Sequence, residues 1–249
     1  MKFPVTLKTY MGIILLVLTT ASVIKNGFSQ TLPQLLIALA TTILLDLIIN
    51  YIKNKKIILP DSAAISSFFI ATALSLGQAW YIPLIAGSAA ILSKHVIKIN
   101  GKHIFNPANF GLFTVILIFS AGIEWWASQI LILVIILGVL LAYKMKRFHL
   151  ILSYLITNIV LSLAYHIIAK QSIAFGNLFF SANLFFMFFM LVEPITSPIT
   201  KKARIIYGTL TAIFSFLILI FLPQYEPSIF ALVLADLFVP WLNKSTMNN

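Results

Sequence analysis

Apolar runs follow one another along almost the whole 249-residue chain, separated by short polar breaks. They cover residues 10–24, 31–52, 62–76, 80–97, 107–121, 125–142, 150–168, 177–191, 203–222 and 227–242. A helix crossing a bilayer core about 30 Å thick needs about 20 apolar residues, so runs of this length read as spans. Composition excludes the alternatives. Hydrophobic residues make up 61%, charged residues 9%, and the mean hydropathy is +1.04; soluble domains carry about 25% charged residues. The chain therefore reads as an all-α polytopic membrane protein, not a soluble or disordered one. It has no cysteine, which excludes a disulfide scaffold, a thiolate nucleophile, an iron–sulfur cluster and a Cys-based zinc site.

Basic residues set the orientation. Lys2 and Lys8 precede the first run. Lys53, Lys55 and Lys56 follow the second, and Lys94, Lys98 and Lys102 end or follow the fourth. Lys144, Lys146 and Arg147 follow the sixth, Lys201, Lys202 and Arg204 the eighth, and Lys244 the tenth. Of the 17 basic residues only Lys25 and Lys170 fall on the other connections. Positive residues stay on the cytoplasmic side, so the alternation predicts ten spans with both termini in the cytoplasm. The net charge of +11 is scattered between runs and forms no continuous stripe, so no nucleic-acid partner is expected. The first run lacks a small-residue cleavage site and is not read as a signal peptide. One transmembrane domain is expected over residues 1–244, with a frayed polar tail over 245–249.

Ten spans divide into pseudo-repeats of about 1–121 and 122–244. The fifth run opens Phe105-Asn106-Pro107-Ala108-Asn109-Phe110, and the tenth opens Tyr225-Glu226-Pro227-Ser228-Ile229-Phe230. Each has an aromatic, a polar residue, Pro, a small residue, then an aromatic three places after Pro. Pro suits the first helical turn. By the topology one start faces inward and the other outward, as inverted repeats require. The third, fifth and tenth runs are short, which suggests either half-depth helices near a binding site or local bilayer thinning.

Only six acidic residues occur. Asp46, Asp61 and Asp236 are candidate pathway carboxylates, because a carboxylate within a span pairs or lines a polar cavity. Asp46 could pair with Lys53 near the inner interface. Asp61 and Glu226 open helices and could act as caps, and Glu124 reads as an interfacial loop residue beside Trp125 and Trp126. Two polar stretches lead into helix starts on the cytoplasmic side, 100–111 and 193–202. Free N–H groups there favour an anion or the electron-rich edge of a flavin; the same Thr, Ser and Pro could equally cap and turn the chain. His95, His103, His149 and His166 have no metal-binding spacing; they read as solvated or interfacial, and no haem is expected. Gly111 and Gly208 read as helix-packing positions.

Asp61-Ser62-Ala63-Ala64, Trp80-Tyr81-Ile82-Pro83, Lys94 and Asn106-Pro107-Ala108 together resemble RnfD, a membrane component of Rnf electron-transport complexes. They also resemble NqrB, its counterpart in the sodium-translocating NADH:quinone reductase; the two make up the RnfD/NqrB family. In the second half Glu193-Pro194-Ile195-Thr196-Ser197-Pro198-Ile199-Thr200 is similar to the family's acidic-Pro-x-Thr-Ser-Pro-x-Thr stretch. Phe230-Ala231-Leu232-Val233-Leu234, followed by Asp236 and Pro240, is similar to its last helix. The resemblance spans about residues 61–242. It implies ten spans in two inverted five-helix repeats, a urea-transporter-like arrangement, with a flavin in the bundle and electron transfer coupled to ion movement. Carried over by position, Lys94, Asn106, Asn109, Glu193, Thr196, Ser197 and Thr200 become flavin-site candidates. The family's Ser-Gly-Ala-Thr attachment stretch is missing, and residues 121–125 form only a tight turn, so a flavin (FMN or riboflavin) is expected to bind non-covalently. Glu193 stands where the family more often has Asp.

These readings predict an electron-transport protein of a prokaryotic cytoplasmic membrane, surrounded by lipid and served by redox partner subunits. It would be at most a flavin-binding component of a membrane oxidoreductase, not a stand-alone enzyme. The rival is a small-solute or flavin transporter or channel on the same fold, which midplane polar groups would suit equally well.

Overall fold

The computed structural model describes residues 6–57, 59–169 and 183–247, and these are helical nearly throughout. In chain order the helices are α1 (Leu7–Asn26), α2 (Phe28–Asn54), α3 (Asp61–Ala73), α4 (Tyr81–Val96), α5 (Pro107–Phe119), α6 (Leu131–Met145), α7 (Phe148–Ile168), α8 (Lys201–Phe221) and α9 (Pro227–Met247). A two-stranded hairpin, β1 (Lys98–Ile99) with β2 (Lys102–His103), joins α4 to α5. A π-helical turn covers Phe186–Met190. The expected eighth span begins outside the described residues.

Among the described residues five helices are long and apolar enough to cross a membrane: α1, α2, α7, α8 and α9. The last was expected to be short, yet it has 21 residues and runs through most of the predicted tail to Met247. Ser245 and Thr246 each donate a hydroxyl to the Leu242 carbonyl, and Thr246 also meets Thr200 at 2.7 Å. These bonds hold the polar last turn on the helix.

The chain divides into two compact units, Met1–Leu137 and Gly138–Asn249, with the division inside α6. In the first unit α2 packs on α3 and α4, α4 on α5, and α1 on α3. Buried Leu15, Leu18, Ile70, Ile91 and Leu112 fill its core, whereas Leu36, Leu44 and Ile48 on α2 are exposed. Outward-facing aliphatics beside buried polar groups are what a lipid solvent selects.

Two helices in this unit stop early. With 13 residues each, α3 and α5 are only about 20 Å long, short of the hydrocarbon thickness. The chain beyond them is extended. Leu74 bridges Ile123, the Ser75 N–H donates to the Gly122 carbonyl at 2.9 Å, and the Glu124 N–H donates to the Ala73 carbonyl at 2.9 Å. The Gln34 amide donates to the carbonyls of Ala71 (2.7 Å) and Leu74 (3.1 Å), and the Trp126 indole donates to Ala71 at 2.8 Å. Helix ends need such partners where water is scarce. Gly111 lets α5 approach α4 closely, because a Cβ there would overlap the Ala86 carbonyl oxygen.

In the second unit α7 packs on α8 and α8 on α9. Gly208 on α8 faces the Leu150 carbonyl and the Ser153 hydroxyl of α7, with no room for a side chain. Tyr154, Tyr207, Phe185 and Phe189 are fully buried. Both glycines serve close packing, as their sequence context suggested.

Candidate functional site

A buried charged cluster lies in the first unit. Asp46, on α2, is 2% exposed, and its Oδ1 accepts from Lys94 Nζ at 2.9 Å and from His95 Nε2 at 2.7 Å. Lys94 also donates to the Ser62 hydroxyl at 2.7 Å, which ties α4 to the first turn of α3. An unpaired carboxylate in such surroundings would cost several kcal/mol, so it draws cations from the neighbouring helix. The expected Asp46–Lys53 pair is not formed: Lys53 donates instead to the His95 carbonyl at 3.3 Å. Lys53 is seven positions along the helix from Asp46, about 10 Å along the axis, whereas α4 lies directly alongside. His95, expected to be solvated or interfacial, has a side chain only 8% exposed.

Near the start of α2 the same unit forms an open cavity of about 490 Å³, within the range of small-molecule sites. The amides of Gln30, Gln34 and Gln78, the Trp80 indole, Pro33 and Pro83 line it, and among the described residues no charged side chain does. The extended chain after α3 forms one wall, with Leu76 and Gly77. Backbone freed from a helix is tolerated at membrane depth when it borders such a space.

In the second unit the Tyr207 hydroxyl on α8 donates to Asp236 Oδ1 on α9 at 2.6 Å, with both side chains fully buried. The loop before α8 is folded by its own polar groups. Thr196 donates to Glu193 Oε2 at 3.2 Å, and Ser197 to the Glu193 carbonyl at 2.5 Å. Thr200 caps α8 by accepting from the Ala203 N–H at 3.2 Å. Two guanidinium groups hold the Pro198 carbonyl: Arg147 Nη1 at 2.9 Å and Arg204 Nε at 3.0 Å. Arg147 sits between α6 and α7; burial, then the neighbouring Arg204 charge, pushes its guanidinium down to about 10.

The model of the NQR2, RnfD, RnfE family matches residues 4–130 and 124–249. The chain belongs to this family. A relative from Methanosarcina acetivorans, the D subunit of an ion-translocating oxidoreductase complex, is 25% identical over 261 aligned positions, covering 94% of this chain and 87% of the relative. The D subunits of the same kind of complex from Citrobacter koseri (32%) and Escherichia fergusonii (29%) align over 109 residues, 43% of this chain and 31% of their own length.

Set against the family's motif stretches, the carried-over residues are distributed as follows. Lys94 belongs to the Asp46 cluster. Asn106 caps α5, its side chain accepting from the buried Asn109 N–H at 3.1 Å. Glu193, Thr196, Ser197 and Thr200 shape the loop and start of α8. Asp61 lies in the first turn of α3. Glu226 accepts from Ser228 at 2.8 Å at the start of α9. The paired openings of α5 and α9 share more than residue type. Phe105 stacks on Phe110 with centroids 5.1 Å apart, and Tyr225 stacks on Phe230 at 4.5 Å. In both, the rings bracket the Pro turn.

Sequence reasoning missed His95, Gln34, Gln78, Tyr207 and Arg147. A signal existed for His95: it follows Lys94 inside an apolar run, where two adjacent basic groups need an acid from another helix. Gln34 and Gln78 were similarly conspicuous as amides at the edges of apolar runs. Tyr207 carried no such signal, since one more aromatic in a span is unremarkable.

Proposed function

We propose that this protein is an electron-transport component of an ion-translocating membrane oxidoreductase, holding a flavin non-covalently and exchanging electrons with partner subunits. The names of its relatives support the assignment. In this reading the chain crosses the cytoplasmic membrane of a prokaryote ten times as two inverted halves, with both termini inside. The matching ring-bracketed Pro turns of α5 and α9 and the two consecutive family matches support that arrangement.

The observation that carries the cofactor reading is the cavity between the starts of α2 and α4. Its chemistry fits the ring of a flavin: an indole and two prolines offer flat apolar surface, the Gln30 and Gln78 amides can each donate and accept, and Gln34, whose N–H groups are taken by Ala71 and Leu74, can accept. Gln30, Gln34, Gln78 and Trp80 would hold the ring. A bound flavin supplies one- and two-electron redox chemistry, while the protein binds, orients and excludes water. The residues at the two cytoplasmic corners, by contrast, turn their side chains largely onto their own chain.

The same cavity, open to its surroundings and free of charged walls, supports a second reading as the vestibule of a pathway for an uncharged solute. One preparation separates the two. The purified protein should absorb in the flavin bands and bleach on reduction, with the flavin released intact on denaturation. Trp80→Ala and Gln78→Leu should weaken added riboflavin by up to about a hundredfold, the value of a lost buried hydrogen bond or equivalent contact. A colourless protein that takes up no flavin, yet carries solute in proteoliposomes, would overturn the first reading in favour of the second.

A further inference from the structure

The Asp46 cluster is more than a structural ion pair would require. Asp46 lies eight residues before the end of α2, about 12 Å inside it. One ammonium would neutralise it. Lys94 does so, held in place by Ser62. The same Oδ1 nevertheless also meets His95 Nε2 at 2.7 Å. With Asp46 ionised, Nε2 must carry the hydrogen, and the imidazole is left with a basic Nδ1. The cluster is then neutral overall and holds one vacant basic nitrogen.

We propose that Asp46, Lys94 and His95 form a proton-binding site in the first unit, and that the cation handled there is the proton rather than a metal ion. One proton adds to His95 Nδ1, and no other bond changes. The Nε2–H remains on Asp46, which stabilises the imidazolium as a carboxylate orienting a histidine does. The cluster then carries one net positive charge, which a low-dielectric interior holds more readily when negative charge arrives nearby. Its purpose, compensating an incoming electron, rests on the electron-transport reading above; its existence as a proton site does not.

The choice of proton over metal follows from the ligands. The Lys94 ammonium already occupies the space between Asp46 Oδ1 and Ser62 Oγ where a monovalent cation would sit. Hard cations want several oxygen ligands, and among the described residues no group of three or more His, Asp or Glu side chains converges. Of the surrounding charges, Asp61 alone is negative, and it is exposed. On α2, Lys53 donates to the His95 carbonyl. On α3, Asp61 adjoins Ser62 at the helix start. The hairpin packed on α4 brings Lys98, Lys102 and His103. The α5 helix has no titratable residue, and α1, packed on α3, carries Lys8, Tyr10 and Lys25 toward its two ends.

Nitrogen resonances of labelled histidine, read in the full-length protein in liposomes, test this. His95→Gln assigns the signal. That signal, followed across the pH range in which the protein stays folded, should titrate with the same midpoint as an aspartate infrared band absent from Asp46→Asn. In Asp46→Asn the histidine midpoint should move by about one unit or more. Replacing potassium with sodium at constant ionic strength should leave it unchanged. A His95 signal constant over that range, a midpoint indifferent to Asp46→Asn, or a midpoint moved by sodium would each overturn the proposal. If Asp46→Asn does not fold, His95→Gln serves: the aspartate band should then lose its pH dependence, and persistence would refute the site. A protein that lacks flavin but titrates in this way would refute the electron-transport reading alone.

Discussion

Replacing Tyr207 with Phe removes one oxygen and almost nothing else. The ring stays, so α8 and α9 keep their packing and no large cavity opens. What disappears is the 2.6 Å hydrogen bond to Asp236 Oδ1, formed between two fully buried side chains. Hydrogen bonds to a charged group contribute about 1.5–3 kcal/mol. Asp236 keeps other interactions, so the loss should stay below the roughly 3–5 kcal/mol of a buried charge stripped of its partner. A destabilisation of about 2 kcal/mol is expected, which for a chain of this size lowers the melting temperature by about 4–8 °C. Thermal unfolding of the purified protein in detergent, alongside Asp236→Asn and the double variant, reads the effect. Because the two groups touch, the double variant should cost less than the sum of the singles by about 1 kcal/mol or more. A Tyr207→Phe protein within about 0.5 kcal/mol of wild type, or strict additivity, would show that this bond does not hold the helices together.

Gly111→Ala should destabilise by about 1–3 kcal/mol, because a Cβ there overlaps the Ala86 carbonyl oxygen and lies 3.1 Å from the Ala90 Cβ; unchanged melting would mean that α4 and α5 cross further apart. Asn106→Ala should cost about 0.5–2 kcal/mol as a lost helix cap and leave flavin content unchanged; lost flavin with intact stability would move the cofactor to that corner. Arg147→Met tests the buried guanidinium by pH. Since the folded value of Arg147 lies near 10, below the ordinary 12.5, the charged form is the disfavoured one in the fold. The stability of wild type relative to Arg147→Met should therefore rise as pH climbs through about 10, where the folded protein releases the proton before the unfolded chain does; a flat difference across alkaline chemical denaturation would contradict that burial.

What the sequence made legible here is what acts over one helical turn or one span. Thr200 could be read as a cap because a side chain three residues before an N–H reaches it in any helix start, and it does so; Asn106, read as a flavin-site residue, turns out to cap α5 in the same way. The early ends of α3 and α5 were foreshadowed by the lengths of their apolar runs. What ends α3 was not, since its last carbonyls are held by Gln34 and Trp126, 37 and 55 positions from Ala71. The same limit explains Asp46. Its need for a cation was plain from its place in an apolar run, but the nearest lysine along the chain is separated from it by helix rise. Its actual partners, Lys94 and His95, are 48 and 49 positions distant and adjacent only because α4 packs on α2. In an apolar chain a buried charge thus announces that a partner exists, and helix packing decides which residue it is. Lys94, among the carried-over residues, bonds to Asp46 and to Ser62, both on other helices. Asn106, Glu193, Thr196, Ser197 and Thr200 also make the local bonds of caps and turns. By that criterion the charged cluster, more than the helix starts at Asn106 and Thr200, is where substitution should change function before it changes folding.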